Sequence, residues 1–208
     1  MSGAFSVATG VFAVVPVKDL AGTKSRLRPI LDPGARAGLT LYMMGRVVSA
    51  LQGAGVENVG VVSPDGIVLM QARERGAVPL RQESQGLNPA LEEGRRWAMD
   101  RGASTLLVLP ADLPLLDPEE VRAVLEELGD VPSAVISPDC AHAGTNALLL
   151  RPPDALPFAF GPGSYEAHLH AARERGLDVR VCERPHLAFD LDTAGDLARL
   201  EEPEVRRP

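Results

Sequence analysis

An α/β fold, with a largely parallel sheet covered by helices on both faces, is predicted by three observations. Apolar runs at Val11 to Val17 and at Thr105-Leu106-Leu107-Val108-Leu109 are short, β-branched or continuous, and read as buried strands. Segments with apolar residues at helical spacing alternate with such runs along the chain. Clusters of Gly, Pro, Asp and Asn mark the changes from one pattern to the other.

Each element follows in order. Val11 to Val17 is the first strand. Asp32-Pro33-Gly34 then starts a helix with Pro at its first position. Leu39, Met43, Val47 and Ala50 carry that helix through Leu51. Val59 to Val62 is a second strand, closed by the turn Ser63-Pro64-Asp65-Gly66. Ile67 to Arg75 is a helix that stops at Gly76, and Ala77 to Arg81 is a third strand. Asn88 to Gly102 is a helix with Leu91 and Trp97 on its buried side.

Thr105 to Leu109 is the central strand. Pro118 to Leu128 is a helix with Asp117 at its N-cap and acidic residues in its first turn. Ala134 to Ser137 and Ala147 to Leu150 are strands. Ser164 to Arg175 is a helix ending at Gly176. Val179 to Cys182 and Ala188 to Leu191 are the last strands, Thr193 to Leu200 is a closing helix, and Glu201 to Pro208 is a polar, frayed tail. No repeat, linker or low-complexity stretch divides the 208 residues, so one domain is expected across 1–208, with an ordered core from about residue 10 to about residue 200.

Composition removes several classes of function. A formal net charge of −7 argues against sequence-independent nucleic-acid binding. No apolar run reaches transmembrane length, and the first ten residues lack a signal-peptide pattern, so no membrane partner is expected and the cytoplasm is the default location. Cys140 and Cys182 have no metal-ligand spacing and fit a reducing compartment.

An acidic protein that binds an anion must concentrate its cations. Lys18, Lys24 and Arg26 fall within nine residues, directly after the first strand and around Gly22. Such a loop at the end of a parallel strand suits a polyphosphate. Asp112, in Pro110-Ala111-Asp112-Leu113-Pro114, follows the central strand and suits Mg²⁺ held jointly with phosphate oxygens. In Asp190-Leu191-Asp192-Thr193, an extended backbone points both carboxylates to one side, towards one metal. Asp192 or Thr193 is alternatively the N-cap of the last helix, and Asp196 complements its dipole.

Gln85-Gly86-Leu87-Asn88 precedes a helix, where an amide can read a base or ribose or simply cap. Gly144-Thr145-Asn146 and Phe160-Gly161-Pro162-Gly163-Ser164 are the remaining polar loops, and the second offers backbone N–H groups and Ser164 to another anion. His168 lies one turn beyond Ser164, where an exposed surface histidine is the simpler reading.

Taken together, these motifs resemble the guanylyltransferases of deazaflavin coenzyme F(420) biosynthesis, over nearly the whole chain from Pro16 to Leu200. The resemblance implies a nucleotide-diphospho-sugar transferase-like (GT-A type) fold: a mixed, mostly parallel seven-stranded sheet. It implies that GMP moves from GTP to the phosphate of phosphoenolpyruvate, with 2-phospho-L-lactate or 3-phosphoglycerate as alternative acceptors. Pro16, Lys18, Lys24, Ser25, Gln85, Gly86 and Asn88 would bind the nucleotide. Thr145, Gly161, Ser164 and His168 would bind the phosphorylated three-carbon acid. Asp112, Asp190 and Asp192 would hold Mg²⁺.

In that chemistry a phosphate oxygen attacks the α-phosphorus of GTP and pyrophosphate leaves. The nucleophile is already anionic, so the barrier is repulsion between polyanions. Lys18, Lys24, Arg26 and Asp112 with its Mg²⁺ would offset it. A molybdenum-cofactor or sugar nucleotidyltransferase is the nearest rival, but the Gly-Gly-x-Ser-x-Arg opening of those relatives is absent after the first strand. A non-catalytic nucleotide-binding partner of a larger enzyme is the rival from another class. An isologous homodimer is the default assembly.

Overall fold

The computed structural model describes residues 10–129 and 132–201. The expected tail therefore lies, from 202 onward, outside the described residues.

Seven strands form one sheet. They are β1 (Val11–Pro16), β2 (Asn58–Ser63), β3 (Val78–Arg81), β4 (Thr105–Val108), β5 (Ser133–Pro138), β6 (Thr145–Arg151) and β7 (Asp178–Val181). Their order across the sheet is β3-β2-β1-β4-β6-β5-β7. β1 pairs in parallel with β2 and β4, β2 with β3, and β5 with β7, while β6 runs antiparallel to both β4 and β5. The sheet is mixed and mostly parallel, as expected.

Six α-helices connect and cover it: α1 (Pro33–Gly53), α2 (Gly66–Glu74), α3 (Leu87–Met99), α4 (Pro118–Glu126), α5 (Ser164–Glu174) and α6 (Ala194–Glu201). Two apolar layers result, and β1 shows how. Val11, Ala13 and Val15 join α1, α2 and α4 on one face, while Phe12 and Val14 join α3 and α5 on the other. A strand apolar at every position thus feeds two cores at once. Each fully buried Val or Leu contributes about 1.5–3 kcal/mol, so the central strands hold both helical layers.

Local chemistry sets the helix starts. Asp32 accepts from Ala35 N at the head of α1, Asp65 from Ile67 N and Val68 N at α2, and Asp117 from Glu119 N and Glu120 N at α4. Gly86, with φ of 100°, stands at the head of α3, so Asn88 is inside the helix and does not cap it. No helix among the described residues is long and apolar enough to cross a membrane.

Two expectations are corrected. Ala188 to Leu191 is irregular, with a bend at Ala188, and joins no ladder. Its backbone bonds go to three separate places: Ala188 N donates to Arg184 O, Cys140 N donates to Ala188 O, and Leu191 N donates to Asp112 O. His168 is fully buried in α5 and is not a surface residue. Its Nε2 lies 3.1 Å from Ala159 N, and its Nδ1 lies 3.0 Å from Thr145 Oγ1. A backbone N–H can only donate, so Nε2 accepts and Nδ1 carries the proton towards Thr145. His168 ties α5 to β6 and to the loop before Phe160.

Two stability outcomes follow from this packing. A Cβ added at Gly94 of α3 would meet Val14 Cγ1 at 2.6 Å on β1. Ala normally improves a helix interior by up to about 1 kcal/mol, but overpacking at this contact outweighs it, and Gly94→Ala should lose about 1–3 kcal/mol in denaturant unfolding.

Burial pushes the His168 imidazole down from its usual 6.5 to about 4. Between those values the unfolded chain binds the proton and the folded chain does not. Stability should therefore fall as pH drops through this window, by about 3 kcal/mol at its lower end. The difference between wild type and His168→Gln, measured by denaturant unfolding across the window, isolates this contribution from the carboxylates that titrate nearby.

Candidate active site

A cleft of about 610 Å³ opens at the carboxyl ends of β1 and β4, the rim where parallel sheets hold ligands. Pro16, Lys18, Lys24, Ser25, Arg26, Gly86, Asp112 and Asp192 line it, all of them singled out in the sequence. Thr23, Thr40, Met43, Gln82 and Phe160 also line it and were missed.

The basic loop is held from three sides. Leu20 N donates to Asp65 Oδ2. The hydroxyls of Thr23 and Thr40 lie 2.8 Å apart, and the buried Arg36 donates to Thr23 O and Leu31 O. Leu27 is buried against Met43 and Leu191. Within this frame Lys24 adopts φ of 46°, a left-handed conformation rare for a residue with a side chain. Such strain costs on the order of 1–3 kcal/mol and clusters at functional sites.

That conformation accompanies the central contact of the site. Lys24 Nζ lies 2.8 Å from Asp112 Oδ2 and 2.9 Å from Asp192 Oδ1, with only 7% of its side chain exposed. Burial alone would lower its pKa. The charge and hydrogen bond of Asp112, and then those of Asp192, outweigh burial and hold the ammonium above 10.5. Arg26 Nη1 reaches Asp192 Oδ2 at 3.3 Å, but the arginine side chain is 71% exposed, so this pair adds little. Lys18 is exposed at the cleft wall.

Asp190 and Asp192 separate. Asp192 faces Lys24 and the cleft, whereas Asp190 does not line it. Asn146 Nδ2 lies 3.4 Å from Asp190 Oδ1 and also donates to Leu187 O and Ala188 O. Burial first, and then the charge of Asp112, raise the Asp190 carboxyl above its usual range, against the Asn146 bond, while Asp192 adds to the rise. Asp190 thus sits behind Asp112 and Asp192 within reach of both charges. Asp196 is more than dipole decoration: its Oδ2 accepts from Thr193 N and Asp192 N, and Thr193 Oγ1 accepts from Asp196 N. This reciprocal capping box fixes the backbone that carries Asp192.

The amide-bearing loop works differently from its sequence reading. Gln85 is exposed and outside the cleft, and Gln82 takes a place in the lining. Asn88 donates to Phe160 O at 3.1 Å and accepts from Phe160 N at 2.9 Å. Both ends of its amide are engaged by backbone, and Asn88 is not among the residues that line the cleft. Thr145, Ser164 and His168 are buried and lie outside the lining, while Gly161 is exposed. Phe160 connects them to the cleft, with its ring 4.9 Å from that of His168. His168, with both ring nitrogens engaged, offers none to a ligand.

The comparisons with known proteins fit this geometry. A phosphoenolpyruvate guanylyltransferase of Rubrobacter xylanophilus is 66% identical over 92% of this chain and 93% of its own. Another, from Sphaerobacter thermophilus, is 46% identical over 90% and 91%. A 3-phospho-D-glycerate guanylyltransferase of Colwellia psychrerythraea is 35% identical over 90% and 89%. Among solved structures, a Desulfovibrio desulfuricans G20 protein described as a nucleotide-diphospho-sugar transferase superposes with a TM-score of 0.75 at 18% identity, over 95% of this chain and 90% of that one; that likeness speaks to fold alone. The family described as "Guanylyl transferase CofC like" matches residues 11–201. On that match, and on the 66% identical relative, the chain belongs to the CofC-like guanylyl transferases.

Proposed function

We propose that this chain transfers GMP from GTP to the phosphate of phosphoenolpyruvate and releases pyrophosphate, in deazaflavin coenzyme F(420) biosynthesis. The observation that carries this reading is the meeting of Lys24 with Asp112 and Asp192 at the mouth of the cleft. The acceptor is chosen on the 66% identical relative, which is named for phosphoenolpyruvate.

The carboxylates suit Mg²⁺. Asp112, Asp190 and Asp192 offer only oxygen donors, and Lys24 Nζ already places a cation between two of them. Bound there, the ion would supply charge neutralisation at the phosphate oxygens. Among the described residues, the one group of three His, Asp or Glu side chains with ligand atoms all within 4.8 Å is elsewhere, at Asp117, Glu120 and His186.

The chain's own groups do the rest. Lys18 and Lys24 hold triphosphate oxygens, and Lys24 shifts from its carboxylate partners towards them. Arg26, exposed at the rim, meets the incoming anion. Phe160, held by Asn88, shapes the acceptor side, and Thr145, Gly161 and Ser164 would serve the acceptor from outside the present lining. An acceptor phosphate oxygen then forms its bond to the α-phosphorus as the bond to pyrophosphate breaks. No side chain needs to remove a proton, so rate comes from alignment and charge. A single-domain, cytoplasmic homodimer completes the proposal.

The test is pyrophosphate release with GTP and Mg²⁺, with phosphoenolpyruvate, 2-phospho-L-lactate and 3-phosphoglycerate supplied in parallel. Release with phosphoenolpyruvate, well above the other two, is expected. Release with another acid alone would reassign the acceptor, and GTP binding without release would return the chain to a binding role. Asp112→Asn should cut turnover at least about a hundredfold while its thermal unfolding stays near that of wild type; turnover like wild type would remove Asp112 from the site.

A further inference from the structure

The start of α4 carries a second cluster of charged groups, outside the cleft. Asp117 Oδ1 accepts from Glu119 N at 2.8 Å and Glu120 N at 3.0 Å, as an N-cap does. Its other oxygen is left over and lies 3.2 Å from His186 Nδ1. Glu120 Oε1 accepts from His186 N at 3.0 Å and lies 3.9 Å from His186 Nδ1. One ligand atom from each of the three side chains falls within 4.8 Å of the others.

Charge balance is the unusual part. Among the described residues, His186 is the only basic side chain paired with either carboxylate. Glu120 keeps only 9% of its side chain exposed, and its Oε2 is buried without any partner. A buried carboxylate oxygen with no donor is destabilising, because its lost hydration is not replaced. The cleft shows the contrast: there Lys24 satisfies Asp112 and Asp192 directly.

We propose that Asp117, Glu120 and His186 bind one divalent transition ion of the zinc class at a site separate from the cleft. Ligands about 2.0–2.1 Å from a tetrahedral zinc lie about 3.3 Å from one another. The His186–Asp117 separation of 3.2 Å already matches, while Glu120, 3.9 Å from His186 and within 4.8 Å of Asp117, has to move inward. An imidazole nitrogen with two carboxylates favours zinc or its neighbours over magnesium, which prefers oxygen alone and keeps its water. The ion would give Glu120 a cationic partner in addition to His186. It would also staple the start of α4, which follows the Asp112 loop, to the segment that leads into Asp190 and Asp192.

The test is zinc competition between the full chain and a chromophoric chelator, in excess Mg²⁺. One equivalent of zinc should be retained by wild type and by Asp192→Asn, in which the cleft is altered. Glu120→Gln, which keeps the acceptor for His186 N, and His186→Asn should each bind at least about tenfold more weakly. Retention of wild-type affinity by both would overturn the site, as would failure of wild type to take zinc. Cobalt absorption of the unsubstituted chain gives an independent readout if the variants do not fold. Intense bands of a four- or five-coordinate ion, kept in Asp192→Asn, support the site, and a spectrum like aqueous cobalt overturns it. Pyrophosphate release is not among these readouts, so failure here leaves the guanylyl-transfer proposal standing.

Discussion

One buried ammonium holds the functional rim together. Lys24 bridges Asp112, which follows β4, and Asp192, which precedes α6, so a single side chain joins parts of the sequence 88 and 168 residues away from it. Two carboxylates facing one cleft would repel each other in a partly dehydrated setting. The ammonium offsets that repulsion, and its own burial is compensated by the pair. The left-handed backbone at Lys24, the Thr23–Thr40 contact and the buried Arg36 all hold this one group in place. Losing both carboxylates would leave the buried ammonium uncompensated, which is costlier than the bridge is stabilising; with Asp112 alone neutralised, Asp192 still lies 2.9 Å from Lys24 Nζ.

This arrangement is a resting state for anion binding. The cation is present before any nucleotide arrives, and its partners are the groups suited to a divalent ion. In the proposed reaction, exchange of Lys24 from carboxylate to phosphate would replace one set of charge-assisted hydrogen bonds with another.

Much of this was legible in the sequence because it depends on strand ends. A buried run followed at once by Lys18 to Arg26, or by Asp112, fixes which rim those groups occupy. Asp192 was legible from the Asp190-Leu191-Asp192-Thr193 motif and not from a strand end, and its separation from Asp190 was not legible, since Asn146 captures Asp190 from 44 residues away. The Asn88–Phe160 clasp spans 72 residues and leaves no local mark, so Asn88 read as a cap or a base contact. His168 looked like a surface residue because helical position alone does not disclose that Ala159 and Thr145 close over it. Ala188 to Leu191 carried strand-like apolar residues, but its backbone groups pair at three separate places and build no ladder. The capping box at Thr193 and Asp196 was readable from its spacing and was passed over.

The reversed direction of β6 has a further consequence. In an all-parallel sheet every strand brings only its exit to the ligand rim, and each residue there sits on a loop. β6 enters at that rim, so Thr145 is its first residue, paired with Pro138 of β5 beside a register shift, while pairing with β4 begins at Leu148. Its position is set by the sheet, whereas residues 139–144 and 158–163 beside it are set by loops. Change among relatives can then proceed unevenly, because a loop can be rebuilt without unpairing a strand. In the proposed reaction, an anchor on a strand next to replaceable walls would let one scaffold diversify in the small acids it accepts while its nucleotide half stays the same.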